Sequence, residues 1–533
     1  MACLAALLLV ACGGGDGDDG GQDPPPGPTV TLTGTVRFAR VPFENLPGAG
    51  HDYANPVLQP ARGVAVRALN AATQAVLVSG TTDADGAYSL QVPDNANVVI
   101  QVMARMQRGT AQSLPRWDVR VQDGLNAAAP FTYNGAAFNS SAGVHNVDIP
   151  TGLSASGTAT GPRASGPFAI LDTIYTAIQT VTSVEPSANL PTLVVDWGSQ
   201  TGGSYFGVQG GTQLIALNWD LTTDTEEFDQ HVIAHEYGHY LEHNFSRFDS
   251  IGGEHGLGDR LDLRVAFSEG LGYAFAAIAL DDPVLRDSYV DGGVQVDQRI
   301  SVDQNPTGAV TANGGGCWCS ESSVWSILWD LYDVPNDGAD NVQLGFQPLW
   351  DALKGTHRQT PAVASIFSYI SALKAAQPAQ ASAIEALVSA QNINAELIDD
   401  FANSETSTPE AHVLPLFTAI TPGVPVVVRT LDNRGRHNKV SNRRLLQFTP
   451  VNSGNVTVNV TTSNPNGPRD PDFLVLRSGT PIVLADSPAI GTETAAFNAT
   501  AGQTYIIDAY DCANGCGEDQ GTPGDYDLTV TIN

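Results

Sequence analysis

The chain has 533 residues, of which 42% are hydrophobic and 15% charged, a composition typical of globular proteins rather than disordered ones. Its 56 acidic residues against 25 Lys and Arg give a formal net charge of −31, which disfavours nucleic acid and anionic lipid headgroups as partners. Because single cores stop growing beyond roughly 250–300 residues, this length predicts several domains.

The first residues predict an export signal. Residues 1–10 are nearly all apolar and lead into Leu9-Val10-Ala11-Cys12-Gly13, which resembles the lipobox of bacterial lipoproteins. The resemblance implies that residues 1–12 are a lipoprotein signal peptide and that Cys12 is lipidated; an ordinary cleaved signal remains the alternative. Residues 13–28, rich in Gly, Asp and Pro, predict a flexible tether. We expect an exported protein, anchored at the bacterial surface or outer membrane or released, that contacts membrane only through Cys12.

Residues 29–163 read as short strands separated by turns. Alternating runs such as Thr31–Arg37 and Val98–Val102 are typical of half-buried β-strands. Thr82–Gly86 has the acidic and glycine residues of a calcium-binding loop, but their spacing favours a hairpin turn in which Asp and Gly supply unusual dihedrals. The stretch resembles carboxypeptidase-regulatory-like β-sandwich domains, which implies a spacer or adhesive module rather than chemistry.

The rhythm changes after residue 163. Apolar residues recur at helical spacing from Phe168, and strands are predicted at Thr192–Asp196 and Leu214–Leu217. The predicted helices that follow are 226–246, 263–279, 321–333, 345–355, 361–376 and 380–401. Such a mixed beginning and helical end indicates an α+β domain over 164–404.

The remainder, 405–533, is again rich in strand patterns. Asp470–Leu476 and Ala501–Tyr505 resemble bacterial pre-peptidase C-terminal domains, which implies a β-sandwich beside a peptidase. Its acidic residues make structural Ca²⁺ a candidate cofactor, with ordinary solvated loops as the alternative. These residues are Asp470, Asp472, Asp511, Glu518, Asp519 and Asp525.

Four cysteines remain after the leader, in two close pairs: Cys317 with Cys319, and Cys512 with Cys516. In an exported protein such pairs predict disulfides rather than metal ligands. The Cys-x-Cys ring is the tighter of the two, so the first pairing is the weaker prediction. A zinc site built from all four would require two distant segments to meet.

The predicted helix 226–246 carries His235-Glu236-Tyr237-Gly238-His239. Residues four apart on a helix lie on one face, so His235 and His239 can bind one zinc ion. Zinc lowers the pKa of a bound water, and Glu236 beside it can accept the proton as the water attacks. This arrangement is the HExxH motif of zinc peptidases; a helix with two hydrogen-bonded histidines is the structural alternative.

A catalytic zinc needs a third protein ligand. The candidates after the motif are His243, Glu254, His255 and Glu269. Three ligands on one straight helix cannot converge on an ion, which disfavours His243. Glu254 and His255 lie in a Gly-rich loop and remain alternatives. Glu269 is favoured, because it lies in the apolar run Val265–Ala277, where an unpaired carboxylate would be costly.

With these motifs the chain resembles the gluzincins, the thermolysin-like and fungalysin-like metallopeptidases, over about residues 165–400. The resemblance implies that His235, His239 and Glu269 bind zinc and that Glu236 is the general base. It is carried by the two motif helices and is weak between them.

A third stretch, Val324–Tyr332, is similar to the Trp-rich helix of fungalysin-type enzymes. Two features depart from the family pattern. Tyr273 stands where thermolysin-like enzymes place an aspartate that orients a ligand histidine, so that partner is unassigned. No motif identifies the group that stabilises the oxyanion, for which Tyr332 and His357 are candidates.

These observations predict a multidomain protein with an α+β zincin-like catalytic domain at 164–404, flanked by β-sandwiches at 29–163 and 405–533. The predicted function is a surface-anchored zinc endopeptidase acting on protein or peptide substrates. One alternative is a zinc aminopeptidase with the same ligands. Another is an adhesive lipoprotein with an inactive zincin fold, which the intact Glu236 disfavours.

Overall fold

The structure is a computed structural model. It describes residues 27–110, 112–124, 129–198, 203–303, 316–334, 340–432, 437–462, 469–516 and 524–533. The predicted lipidation site Cys12 and the acidic residues Glu518 and Asp519 lie outside the described residues. The fold is multidomain and rich in β-sheet, with helices concentrated in the middle of the chain.

The N-terminal stretch is made of strands whose alternate residues are buried, as in Tyr88, Leu90 and Val92. Thr82–Gly86 is a turn, in which the Asp83 carboxylate accepts backbone hydrogen bonds from residues 85 and 87. The strands are β1 (Thr29–Arg40), β2 (Val57–Pro60), β3 (Val64–Asn70), β4 (Val76–Thr81), β5 (Ala87–Pro93), β6 (Asn97–Thr110), β7 (Ser113–Gln122), β8 (Thr132–Asn134), β9 (Phe138–Asn139) and β10 (Val147–Ile149).

The middle of the chain adds further strands: β11 (Leu193–Trp197), β12 (Tyr205–Gln209), β13 (Thr212–Leu217), β14 (Trp219–Asp220), β15 (Asp224–Thr225), β16 (Val284–Asp291) and β17 (Val294–Ser301). The large sheet has the order β12-β13-β11-β7-β6-β3-β4, with β8 and β9 also on β6. In it β7 pairs parallel with β11, Val119 opposite Leu193 and Val121 opposite Val195.

This pairing corrects the predicted boundary between residues 163 and 164. Strands on both sides of the boundary share one sheet, and their buried side chains belong to one hydrophobic core with the helices. The two stretches therefore form one structural unit. A parallel pairing between strands far apart in sequence leaves no local signal. The change of hydrophobic pattern after residue 163 was therefore interpreted as a domain border.

The helices are α1 (Gly166–Val184), α2 (Gln230–Phe245), α3 (Leu263–Leu280), α4 (Glu321–Tyr332), α5 (Phe346–Lys354), α6 (Ile366–Ala376) and α7 (Ala381–Ala390). α1 and α2 pack on this sheet, and the helices that follow pack on these two or on one another. α7 ends well before the predicted residue 401, because Gln391 caps it and Asn392 takes a positive φ of 56°.

α2 and α3 cross at two glycines. A Cβ on Gly238 would lie 3.0 Å from the Cα of Gly272, so the missing side chains permit the close approach. In the described part of the chain α3 has the length and mean hydropathy (1.3) of a membrane span, although the sequence predicts no apolar segment long enough to span a bilayer after the leader. It is 83% buried inside the protein, as expected of a core helix.

The C-terminal stretch forms two sheets, β18-β20-β25-β22-β23 and β19-β26-β21-β24, around a core of their own. Disulfides join Cys317 to Cys319 and Cys512 to Cys516. The elements are β18 (Phe417–Ala419), β19 (Val426–Thr430), β20 (Arg443–Phe448), β21 (Gly454–Thr462), β22 (Pro471–Arg477), β23 (Thr480–Ala485), β24 (Thr492–Ala499), β25 (Tyr505–Asp511), α8 (Cys512–Gly515) and β26 (Tyr526–Ile532).

Candidate functional site

The crossing of α2 and α3 brings together three of the predicted ligands. Nε2 of His239 lies 3.1 Å from Nε2 of His235 and 3.2 Å from Oε2 of Glu269. The third side of the triangle, from His235 Nε2 to Glu269 Oε2, measures 3.3 Å. All three side chains are buried. Residues that are distant in sequence thus present two nitrogens and one oxygen to a single point.

The spacing of these atoms fits a tetrahedral ion. Zinc binds nitrogen and oxygen at about 2.0–2.2 Å, so its ligand atoms lie about 3.3–3.5 Å apart at tetrahedral angles. The three measured separations are close to this value. The group could therefore hold a metal ion, and its two imidazoles and one carboxylate are compatible with zinc.

His239 is oriented by a network on its other ring nitrogen. Ser268 Oγ lies 3.2 Å from Nδ1 of His239 and donates a hydrogen bond to Glu242 at 2.7 Å. Glu242 Oε2 itself lies 3.9 Å from Nδ1. Such outer contacts fix the ring and raise the basicity of a ligand histidine. Sequence reasoning missed this network, although Glu242 lies one helical turn from His239 on the same face.

His235 has a different environment. The ring of Tyr273 packs against it with centroids 4.1 Å apart, and among the described residues its Nδ1 has no hydrogen-bond partner. The aromatic residue that departs from the family pattern thus contacts the ligand by packing. The orienting carboxylate serves the other histidine instead.

The charges of the group are strongly coupled. Burial lowers the pKa of His235 to about 4, which keeps it in the neutral form that binds metal. Burial also lowers the pKa of His239, but the carboxylates of Glu269 and Glu242 outweigh it and raise this pKa well above its ordinary value. Conversely, burial disfavours the charged form of Glu269, yet His239 and His235 hold its pKa well below the usual range.

Glu236 projects beside this group without joining it. Burial raises its pKa to about 7, although the neighbouring charge of His239 acts in the opposite direction. Its Oε2 is buried and has no hydrogen-bond partner among the described residues. A carboxylate whose pKa lies near neutrality and whose oxygen is uncommitted suits proton transfer.

His255 is a further polar side chain at the site. Its Nε2 lies 3.2 Å from Glu269 Oε2, and its Nδ1 lies 2.8 Å from Glu321 Oε2 at the start of α4. Burial lowers its pKa, but Glu321 and Glu269 together raise it to about 9. A histidine held this way between two carboxylates is a hydrogen-bond donor beside the metal group. Nothing local in the sequence connects His255 with Glu321.

The structure does not bring the two residues proposed as oxyanion stabilisers to this group. His357 is buried, with its Nδ1 3.1 Å from Ser368 Oγ and its ring packed on Phe267 and Tyr369. Tyr332 lies at the end of α4, with its ring 5.5 Å from that of Trp329. Neither contacts the group, whereas His255 does.

The other ligand alternatives are also placed. His243 packs its ring against Phe206 and Phe248. Glu254 precedes His255, and its backbone carbonyl accepts hydrogen bonds from the C-terminal domain. Both lie outside the group of three ligands.

Acidic side chains gather elsewhere among the described residues, and these groups could also hold a metal: Asp224, Glu226 and Asp287; Asp303, Asp330 and Asp333; and Asp472 beside Cys512 and Cys516. In the last group the sulfurs form a disulfide, so they are not thiolate ligands. Burial and the neighbouring carboxylates of Asp470 and Glu493 raise the pKa of Asp472 to about 7. Calcium in the C-terminal domain stays a prediction.

No family model matches the chain, and no curated protein matches it. Among solved structures, the precursor of protealysin, a metalloproteinase from Serratia proteamaculans, aligns at 12% identity over 51% of this chain and 86% of its own, with a TM-score of 0.30. The pre-peptidase C-terminal domain of collagenase from Bacillus anthracis aligns at 12% identity over 24% of this chain and 100% of its own, TM-score 0.17. PliG, a periplasmic lysozyme inhibitor from Aeromonas hydrophila, aligns at 15% over 22% and 97%, TM-score 0.14. At these scores the likenesses carry no functional argument, which rests on the side chains.

Proposed function

We propose that the protein is an exported zinc endopeptidase of the gluzincin type. The observation that carries this proposal is the triangle of His235, His239 and Glu269 ligand atoms, with sides of 3.1, 3.2 and 3.3 Å. Those distances match a tetrahedral zinc site with one position left for water or substrate. Glu236 follows the ligand His235 directly in the chain and is close enough to His239 and Glu269 for their charges to shift its pKa, so it is the candidate general base.

When bound, zinc supplies Lewis acidity and lowers the pKa of water at the open position. Glu236 accepts the proton of the attacking water and passes it to the leaving amine. Burial raises the pKa of this carboxylate above its ordinary value, which brings it towards the range in which a general base is most effective. Burial of its uncommitted Oε2 keeps competing bulk water away.

Nε2 of His255 lies 3.2 Å from Glu269 Oε2 in this structure; with zinc bound to that oxygen, the Nε2 proton would be available to the oxygen of the scissile carbonyl as negative charge develops there. Glu321 accepts from Nδ1 at 2.8 Å and so keeps the proton of the other nitrogen directed at the site. Donors fixed in advance where charge develops are usually the largest single contribution to acyl-transfer catalysis.

The substrate is an extended peptide. β12 is an outer strand of the large sheet as described, and it packs against α2, the helix that carries Glu236. An outer strand offers a row of backbone groups to which a peptide can add as a further strand. A peptide bound there lies alongside the general base, which favours cleavage within chains.

The first test is hydrolysis of casein and of an insulin chain by the mature protein and by Glu236→Gln. We expect the variant to lose about 10²- to 10⁴-fold in kcat, the usual contribution of a general base, while each protein holds one zinc. Glu396→Gln, at an exposed glutamate in a loop away from the site, is the matched control and should cleave like the wild type.

Three outcomes would contradict the proposal. Equal cleavage by wild type and Glu236→Gln would assign the activity to other residues or to a contaminant. Zinc binding without cleavage by the wild type would favour the adhesive alternative. Cleavage of only N-terminally unblocked peptides, one residue at a time, would make the enzyme an aminopeptidase.

Export and anchoring form a separate part of the proposal. Two disulfides are typical of proteins outside the reducing cytoplasm, and the lipobox resemblance assigns the lipid to Cys12. Metabolic labelling with a fatty acid should mark the wild type and not Cys12→Ala. Equal labelling of both proteins would show that Cys12 is not the lipidated residue.

A further inference from the structure

His255 reaches the metal group from a segment without regular structure. Residues 247–260 contain no helix or strand, and the loop makes few hydrogen bonds of its own, such as Gly252 N to Ser250 Oγ at 3.2 Å. The side chain of His255 is held by Glu321 and Glu269. The backbone that presents it needs another support.

That support comes from the C-terminal domain. The amide of Asn438 donates to the carbonyls of Gly252 at 2.9 Å and Glu254 at 3.0 Å. Lys439 Nζ donates to the same Glu254 carbonyl at 2.7 Å. The peptide group immediately before His255 is thus held by two donors that lie nearly 200 residues further along the chain.

The contact is buried and tightly packed. Asn438 is 1% exposed and Lys439 8%, and a buried ammonium group is stable only when fully hydrogen-bonded. Lys439 Nζ also bonds Asn438 Oδ1 at 2.8 Å and lies 3.3 Å from Asp259. On the loop, Gly253 has a φ of 99°, and a Cβ there would lie 2.8 Å from the ring of His437.

Backbone hydrogen bonds and ion pairs also join the start of α3 to the C-terminal domain. The amide of Asp262 donates to the Asn438 carbonyl at 2.7 Å. Arg264, in the first turn of α3, bonds Asp508 on β25 at 2.8 Å, and Arg443 on β20 bonds the same oxygen at 3.2 Å. The helix that carries Glu269 and the loop that carries His255 are therefore both fixed to the C-terminal domain.

We propose that the C-terminal β-domain completes the active site, with Asn438 and Lys439 as positioning residues that hold His255 in place through the carbonyl of Glu254. This inference rests on the proposed function of His255. It assigns the domain a part in catalysis rather than a role as a detachable accessory module.

The test uses Asn438→Asp in the full chain. The variant keeps the size and the oxygen that Lys439 contacts but loses the donor to both loop carbonyls. Asn514→Asp is the matched control, since Asn514 is buried in the same domain and its amide donates to Thr430 and Gly524. Both are also made in a His255→Gln background.

With saturating zinc, we expect Asn438→Asp to lower kcat by about 10- to 100-fold, the usual effect of a group that orients a catalytic residue. Zinc content should stay at one per chain, and Asn514→Asp should match the wild type. In the His255→Gln background Asn438→Asp should cause no further loss. An equal loss in both backgrounds, or none in either, would overturn the proposal.

A second measurement is independent of peptidase activity. In a Glu236→Gln background, which prevents self-cleavage, a glutamate-specific protease should cut after Glu254 about tenfold faster in Asn438→Asp than in Asn514→Asp. Equal rates would overturn the positioning role even if the enzyme is active. If Asn438→Asp is cut faster but the wild type hydrolyses no peptide, the C-terminal domain does hold the loop, and only the proposed function is overturned.

Discussion

The two β-rich regions that flank α2 and α3 are joined to them in different ways. The N-terminal stretch shares a sheet with the unit that carries these helices: β7 pairs with β11, and its buried side chains lie in the common core. The C-terminal domain has two sheets and a second core of its own, although a few of its apolar side chains, such as Leu445, also join the common core. It contacts the polypeptide around His255 through the side chains of Asn438 and Lys439 and through backbone hydrogen bonds such as that from Asp262 to the Asn438 carbonyl.

From this difference we expect the N-terminal stretch to be needed for folding and the C-terminal domain to be needed for the site. Removing the N-terminal strands would leave β11 without its β7 neighbour and open the core, so we expect no catalytic unit without them. The C-terminal domain closes its own core, yet its polar contacts reach the residue next to His255. A region can thus be independent as a fold and still be required by the site.

Two buried aspartates allow this comparison to be tested. Asp172 on α1 pairs with Arg40 and Arg62 of the N-terminal stretch, and Asp508 pairs with Arg264 and Arg443 at the C-terminal interface. Because neutralising one partner leaves buried arginines uncompensated, we expect Asp172→Asn and Asp508→Asn each to lower the free energy of unfolding by about 3–5 kcal/mol. Urea titrations measure the change.

The unfolding transitions of Asp172→Asn and Asp508→Asn should differ in shape. All seven tryptophans precede residue 405, so tryptophan fluorescence follows only the first unit, whereas circular dichroism follows both. For Asp172→Asn the two signals should coincide; for Asp508→Asn a change in circular dichroism should come first, as the C-terminal domain loosens. Asp527→Asn, at an exposed pair with Arg429, should change little. Coincident signals for Asp508→Asn would contradict the comparison.

The sequence predicted the parts of the site that depend on local spacing. The separation of four between His235 and His239 sets one helix face, and the apolar surroundings of Glu269 indicated a buried charge with a partner. Both α2 and α3 begin and end near the predicted residues. Helical periodicity is a local property, so a single chain is enough to reveal it.

The remainder depends on contacts between distant segments. The family resemblance suggested a His or Tyr for the oxyanion, with Tyr332 and His357 as candidates, but whether either reaches the site depends on how α4 and the segment after α5 pack. His255 was named only as a ligand alternative, because its position is set by Glu321 and by Asn438. The β7–β11 pairing was missed for the same reason.

Gly253→Ala tests the packing of the loop against the C-terminal domain. The substitution places a Cβ on a residue with a φ of 99°, 2.8 Å from the His437 ring and 2.9 Å from the Asn438 amide. We expect a cost of about 2–3 kcal/mol, from strain and overpacking, and a fall in kcat with zinc retained. Gly256→Ala, in the same loop with nothing within 4 Å of its Cβ, should resemble the wild type. Equal kcat in both variants would mean that the loop does not need this contact.

The smallest expected effect concerns the N-terminal side. His51 is buried against Phe43, with Nε2 3.7 Å from Asp229, the residue that precedes α2. Burial, helped by Arg40, lowers its pKa to about 4, although the Phe228 backbone and Asp297 act in the opposite direction. This region therefore buries a neutral histidine beside the start of the metal helix.

Because the folded pKa lies below the unfolded value of about 6.5, the contribution of His51 to stability is complete above pH 6.5 and is lost as the pH falls towards 4. Compared with His51→Gln, which does not titrate, the wild type should lose about 1.4 kcal/mol between pH 8 and about pH 5.5. The raised pKa values of Glu226 and Asp229 make the stability of the wild type and of His51→Gln rise as the pH falls. The quantity to measure is therefore the difference in the free energy of unfolding between the two proteins. Urea titrations at each pH provide it. If the difference does not change with pH, His51 is not buried as a neutral group, and the N-terminal stretch is held against α2 by its strands alone.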